Sequence, residues 1–267
     1  MFERIVNARD LGGIVIGNKT VKHGLLLRTA HLHDATDRDV RRLQEEFHLR
    51  RIFDFRSHPE ASLQPDRDIP GAESILLPTL DVSAEKASGE AIPEEMWIDL
   101  SKHIVRLSFM KLFQEKGREL YPSLALSEFS QLQYASFLNL ILETEEGAVL
   151  WHCSQGKDRT GMGAALILFA LGADRETVIR DFDRSNDSYR PLVEKLCADV
   201  ETAGGGEDEK EVVRAFMGVS VRNFNHALDL IEAQWGSMQA YLEQQMEIGS
   251  EERQRLQERY LTDRDAV

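Results

Sequence analysis

The stretch His152-Cys153-Ser154-Gln155-Gly156-Lys157-Asp158-Arg159-Thr160-Gly161 constrains this chain more than any other. An apolar run, Ala148-Val149-Leu150-Trp151, precedes it, and a second apolar run from Gly163 to Leu171 follows. The first has the length of a buried strand and the second that of a helix, so the pattern predicts strand, tight loop, helix. A loop that opens a helix presents backbone N–H groups and the positive end of the helix dipole, which together hold an anion. Strands alternating with helices along the rest of the chain place this unit in an α/β fold.

The residues inside the loop narrow the chemistry. A phosphate monoester bound here would face the N–H groups of Ser154, Gln155, Gly156, Lys157, Asp158 and Arg159. The Arg159 guanidinium matches two phosphate oxygens at once and can hold the equatorial oxygens as charge redistributes. Cys153 sits at the base of the loop as the candidate nucleophile. A free thiol, with a pKa of about 8.5, is mostly protonated at neutral pH, and a helix N-terminus with a nearby arginine lowers that value. Thr160 is placed to donate to the sulfur, which helps the thiolate leave again. Gly156 lets the backbone curl round the anion. Lys157 reads as positive charge at the pocket rim, suited to a substrate with a second phosphate, or as a surface lysine. Asp158 reads as a proton donor in the site, as a first-turn acid that complements the helix dipole, or as a partner of Lys157.

These features predict a phosphomonoester hydrolase that works through a covalent intermediate on Cys153. A phosphate-binding module without catalysis is the second class, and it needs no thiol. Thiol redox chemistry is the third, and it calls for a resolving cysteine close by. The other cysteine, Cys197, falls on a predicted helix with Leu192, Val193 and Leu196 and reads as a core thiol.

Composition removes other classes. A net charge of −14 without a basic stripe argues against nucleic acid as a partner and makes any phosphate site a local positive patch in a repelling field. Two cysteines do not make a secreted disulfide framework. The opening Met1 to Asn7 has no apolar core of a signal peptide, so the expected location is the cytoplasm, or outside the cell by a route without a standard signal. The run Ala164 to Leu171 is too short to span a bilayer.

Elsewhere, Ile14-Val15-Ile16 with Gly17-Asn18 predicts a hairpin, and Leu25-Leu26-Leu27 a short strand. Thr36 to Asp39 predicts a capped helix start with Val40, Leu43 and Phe47 turned inward. Arg51 to Phe55 and Ser74 to Leu77 predict buried strands. Helices are expected from Ser127 to Leu142, from Arg175 to about Arg184, and from Pro191 to about Val200, then over Ser220–Gln234, Ser237–Met246 and Ser250–Leu261. Gly204 to Lys210 reads as a flexible surface loop.

The loop HCSQGKDRTG resembles that of the cysteine phosphatases, and more narrowly the bacterial atypical tyrosine, dual-specificity and phosphoinositide phosphatases. Asn7-Ala8-Arg9-Asp10-Leu11-Gly12-Gly13, Gly24 to Ala30, and Phe53-Asp54-Phe55-Arg56-Ser57 with Glu60 resemble that group's N-terminal motifs in their order. The resemblance implies a single phosphatase domain over 1–267, with a mostly parallel twisted sheet, an insertion at about 82–125 and a helical C-terminal tail. It implies a two-step mechanism without metal or other cofactor, acting on phosphorylated proteins or phosphoinositides. It leaves the general acid open between Asp81, in a P-x-x-D stretch, and Asp158. It assigns Asn7, Arg9, Asp10, Asp54, Arg56 and His152 supporting places, with Arg56 either lining the pocket or paired with Glu60. The apolar residues Met96, Trp97, Leu100, Ile104, Leu107, Phe109 and Leu112 read as a lid over the site or as one more core helix.

Overall fold

The computed structural model describes residues 2–81 and 119–264. Five strands form the main sheet in the order β1-β4-β7-β5-β6. These are β1 (Arg9–Asp10), β4 (Leu26–Thr29), β7 (Ala148–His152), β5 (Leu49–Asp54) and β6 (Glu73–Leu76). All neighbours run parallel except β1, which is antiparallel to β4. Side chains of a strand point alternately to the two faces of its sheet, and the apolar residues sort accordingly. Leu26, Phe53, Val149 and Trp151 enter one core cluster, whereas Leu27, Ile52, Ala148 and Leu150 enter another on the opposite face. Two buried faces explain why β7 is apolar throughout, as in parallel sheets covered by helices on both sides.

The register positions the site. Thr29 of β4 and Asp54 of β5 both pair with His152 of β7, so the three strands end in one row. The loops that leave this row converge outside the carboxyl ends of the strands, where open α/β sheets place their ligands.

Helix α1 (Asp37–Arg41) starts with the expected capping box, Thr36 with Asp39, and Val40 and Leu43 are buried as expected. A π turn, Arg42–Glu46, continues it. Helix α2 (His58–Leu63) is capped reciprocally by Ser57 and Glu60. After a helical stretch at 119–126 come α3 (Glu128–Glu143) and α4 (Asp158–Leu171). Residues Thr160–Leu171 of α4 are all buried, the signature of a helix enclosed on every side. Gly172, at φ 95°, ends it in the left-handed conformation. The tail continues with α5 (Arg175–Thr202), α6 (Glu207–Met217), α7 (Val221–Trp235), α8 (Met238–Met246) and α9 (Ser250–Tyr260).

Three expectations change. The helices read on either side of Pro191 are one continuous α5. Pro191 removes a backbone donor, but both it and Asp187, whose carbonyl loses its partner, are exposed, so water can hydrate the gap. The loop read over Gly204 to Lys210 is shorter, because Glu207, Asp208 and Glu209 form the acidic first turn of α6. The hairpin β2 (Val15–Ile16) and β3 (Lys19–Val21) forms, and an unforeseen strand β8 (Leu261–Asp263) pairs with it antiparallel. The helical reading of 92–113, and most of the insertion at 82–125, fall outside the described residues. No described helix is long and apolar enough to cross a membrane.

Candidate active site

Cys153 follows β7 directly and is buried among the main core residues. Its loop turns into α4, whose N-cap residue, Lys157, contributes no capping bond from its side chain. Elsewhere Thr36, Ser57, Ser127 and Asp174 cap their helices with side-chain oxygens. At α4 the first N–H groups therefore stay available to an anion. Burial alone pushes the Cys153 thiol up. The Arg159 charge and contacts with the hydroxyl and backbone N–H of Thr160 outweigh it, so the thiol ends below its ordinary 9.0. The Thr160 hydroxyl is buried without a well-formed hydrogen bond, so what it offers the sulfur is a nearby dipole. The nearby charge of Asp158 opposes ionisation.

Arg159 is held by Glu60 of α2. Its Nη1 and Nη2 each lie 2.7 Å from a different Glu60 oxygen, and Nη2 also donates to the Ser154 hydroxyl at 3.1 Å. The Ser154 hydroxyl in turn donates to Glu60 at 2.7 Å. Burial pushes the Glu60 carboxyl up, but the Arg159 charge and its hydrogen bonds hold it far below its ordinary 4.5. A folded-state value below the unfolded one contributes stability above pH 4.5, and that contribution is lost as pH falls below it. The end-on fork of the guanidinium is thus occupied by a carboxylate. Two phosphate oxygens can still be held along the Nε–Nη2 edge, with Nη2 exchanging Ser154 for phosphate.

The loop backbone is held from behind. Asn7 Nδ2 donates to the carbonyls of Gln155 at 3.3 Å and Gly156 at 2.8 Å. Arg28, fully buried, donates to the Gly156 carbonyl at 3.1 Å and to Asp181 at 2.6 Å. Arg9 binds the same Asp181 at 3.0 Å and the Asn7 side chain at 2.8 Å. Tyr189 donates to the Gln155 carbonyl at 2.6 Å. Inside the core, Trp151 Nε1 and the Tyr134 hydroxyl hold the carbonyls of Thr160 and Arg159. Loop carbonyls that accept from behind leave the loop N–H groups turned toward the anion position.

Gly156 is required twice over. Its φ is 64°, and a Cβ there would meet the Thr29 carbonyl oxygen at 2.2 Å. Gly156→Ala is expected to destabilise the protein by about 2–4 kcal/mol and to remove activity, which urea unfolding and a phosphate-release assay would check.

Other expected site residues take different places. Lys157 is not at an open rim: it is buried, and Nζ donates to the carbonyls of Phe216 and, at 2.9 Å, Gly218. Arg56 is paired with Asp54 at 2.7 Å and Asp66 at 2.5 Å rather than with Glu60, so it supports the strand ends and does not line the pocket. His152 is buried beside the same acids, with Nε2 3.2 Å from Asp66. Burial pushes His152 down, and Asp54 and Asp66 more than restore it, so its pKa is raised. Donor atoms of Asp54, Asp66 and His152 lie within 4.8 Å of one another, a span a metal ion could bridge. The Arg56 guanidinium already bonds both carboxylates and supplies the positive charge there. Asp10 binds the N–H groups of Gly12 and Gly24, so it braces the hairpin and not the loop. Asp158 accepts from Tyr121 at 2.5 Å. Asp81 closes the described stretch that follows β6; Thr79, two residues earlier, is buried, and its carbonyl accepts from Ser130. Cys197 packs with the separate α5–α6 cluster of Tyr189, Leu196 and Val212, and both cysteines are free thiols.

Sequence reasoning assigned no role to Arg28, Asp181, Tyr121 or Tyr189. Arg28 stands in one of the quoted motifs, but its partner Asp181 is 153 positions away, and nothing local marks that pair. An acid at 181 within a helix rich in exposed charge reads as a solvated residue.

The sequence matches the tyrosine phosphatase family over residues 1–262. A protein of Cupriavidus necator, provisionally named a tyrosine-protein phosphatase, is 27% identical over 92% of this chain and 84% of its own length. The triple specificity protein phosphatase PtpB of Mycobacterium tuberculosis is 35% identical over 35% of this chain and 37% of its own. A tyrosine-protein phosphatase of Nostoc commune is 38% identical over 44% of this chain and 42% of its own. With a mostly parallel sheet between helices, a cysteine loop at the strand ends and a match over nearly its whole length, the chain belongs to the tyrosine phosphatase family.

Proposed function

We propose that this phosphatase hydrolyses phosphotyrosine, and with it phosphoserine, phosphothreonine or phosphoinositide esters, through a cysteinyl-phosphate on Cys153. The reading rests on one observation above all. A buried thiol stands at the base of a loop whose helix N-terminus is uncapped and whose arginine is fixed. The Cys153 thiolate attacks phosphorus, the bond to the leaving oxygen breaks, and an aspartic acid gives that oxygen its proton. Asp158 and Asp81 are the candidates for the acid. Water then attacks the cysteinyl-phosphate, its proton passing to the resulting carboxylate, and phosphate and thiolate are released. Arg159 and the loop N–H groups hold the equatorial oxygens through both steps. The domain is a single unit over 1–267 that carries an insertion at 82–125.

The triple specificity named for the mycobacterial relative supports more than one substrate class. The burial of Lys157 against two carbonyls counts against a ready-made site for a second phosphate. The test is phosphate release, without added metal, from a phosphotyrosine peptide, a phosphoserine peptide and a soluble phosphoinositide, with Cys153→Ser as control. Cysteine-dependent release from the first establishes the reading, and the rate ratios rank the other two. Release that does not depend on Cys153 overturns it.

The lowered thiol pKa carries a pH prediction. The thiolate fraction rises with pH through the folded-state value, so reactivity is lost as pH falls through a point below 9.0. The alkylation rate of Cys153 by iodoacetamide, followed peptide by peptide in a mass spectrometer, is expected to show that midpoint. Thr160→Ala, which removes a stabilising dipole, is expected to move it toward higher pH.

A further inference from the structure

We propose that Tyr121 is a positioning residue for Asp158, committing one carboxylate oxygen so that the other is the one that passes a proton to and from the substrate. This rests on the hydrolase reading above. The Tyr121 hydroxyl donates to Asp158 Oδ1 at 2.5 Å. The backbone N–H of Ser220 approaches the same phenolic oxygen at 3.4 Å, so the phenol's proton is directed at Asp158 and its lone pair at the main chain. Burial, then the Asp158 charge, raise the phenol's pKa well above its ordinary 10.0, which keeps it a neutral donor.

The ring has little freedom to turn. It is almost wholly buried and meets Phe182 edge-on at 5.6 Å and Phe224 at 6.0 Å. Those two rings are themselves stacked at 4.0 Å, and Phe182 presses on Gly161 in the first turn of α4, where a Cβ would meet it at 2.8 Å. The aromatic group therefore ties the hydroxyl of Tyr121 to the same turn that carries Asp158.

Among the described residues, Asp158 Oδ2 accepts no hydrogen bond and is left for chemistry. Lys157 Nζ forms an ion pair with it at 3.7 Å, beyond hydrogen-bond distance, while two of the ammonium protons go to the carbonyls of Phe216 and Gly218. Asp158 is the first residue of α4, between Lys157 and Arg159 in the loop that starts at Cys153, so its carboxyl belongs to the loop that would hold the ester. In the first step Oδ2 gives its proton to the leaving oxygen as the P–O bond breaks. In the second the carboxylate takes a proton from the attacking water. Tyr121 keeps its own proton throughout. A carboxyl free to rotate would present the wrong oxygen, or its paired one, for part of the time, and misplacement of this kind is costly in rate.

The test compares phenyl phosphate, whose leaving oxygen needs a proton, with p-nitrophenyl phosphate, whose leaving oxygen needs one far less. Tyr121→Phe keeps the ring and removes only the hydroxyl. It is expected to lower kcat/KM, which reports the leaving-group step alone, about tenfold on phenyl phosphate and less than about twofold on p-nitrophenyl phosphate. In an Asp158→Asn background the same substitution is expected to change neither rate, because the residue it positions can no longer transfer a proton. Equal losses on both substrates, or a full Tyr121→Phe effect in the Asp158→Asn background, would overturn the assignment. So would leaving-group dependence carried by Asp81→Asn and absent from Asp158→Asn. Turnover of p-nitrophenyl phosphate that survives Cys153→Ser would instead mean that the hydrolase mechanism itself is wrong, and the two failures are distinguishable.

Discussion

Cys153→Ser is expected to lower kcat on a phosphotyrosine peptide by roughly ten-thousandfold or more while leaving phosphate affinity within about threefold. A serine hydroxyl needs a base to become a nucleophile, and the adjacent histidine is not placed to serve. His152 precedes the nucleophile directly, but its ring lies among Asp54, Asp66 and the Cys153 carbonyl, behind the loop. The anion site survives the change, because its donors are backbone N–H groups and Arg159, whose geometry depends on Asn7, Arg28 and Glu60 and not on the sulfur. Single-turnover phosphate release, with phosphate affinity measured by calorimetry, separates the two effects. Turnover retained within about tenfold would remove Cys153 as nucleophile.

Arg159→Lys keeps the charge and removes the planar fork, and it is expected to lower kcat/KM by roughly a hundred- to thousandfold. One ammonium cannot satisfy both Glu60 oxygens, each now 2.7 Å from its own Nη, and at the same time hold two phosphate oxygens. Because the equatorial oxygens need their donors most in the trigonal-bipyramidal transition state, affinity for vanadate is expected to fall further than affinity for phosphate. Glu60, left half-paired in a partly buried position, is expected to cost the folded state about 1–3 kcal/mol, read from urea unfolding at pH 7. Equal weakening of vanadate and phosphate would make Arg159 a ground-state anchor only.

Much of the active-site unit was legible in the chain. Strand, loop and helix around Cys153 follow from two apolar runs of different length with glycine and polar residues between them. The capping box at Thr36 and the Gly17-Asn18 hairpin were legible for the same reason: each is decided by atoms within a few residues of one another. Pro191 misled because its cost depends on solvent access to the Asp187 carbonyl, a property of the surface and not of the local pattern. Lys157 misled similarly. Its position in the loop is local, but where its ammonium goes was decided by the carbonyls of Phe216 and Gly218, presented by the junction of α6 and α7.

The sequence by itself therefore determined the nucleophile's surroundings along the chain: a thiol after a buried strand, a glycine at the left-handed turn, an arginine in the first turn of a buried helix. These depend on backbone geometry and on short-range periodicity, which neighbouring residues control. Only the tertiary structure decided what holds those groups in register. Glu60 meets Arg159, Asp181 joins Arg9 to Arg28, Tyr189 reaches Gln155 and Tyr121 reaches Asp158, because segments distant in sequence converge at the carboxyl ends of the strands. A buried charge or hydroxyl must find a partner wherever folding brings one, and that partner's place in the chain is set by topology rather than by spacing.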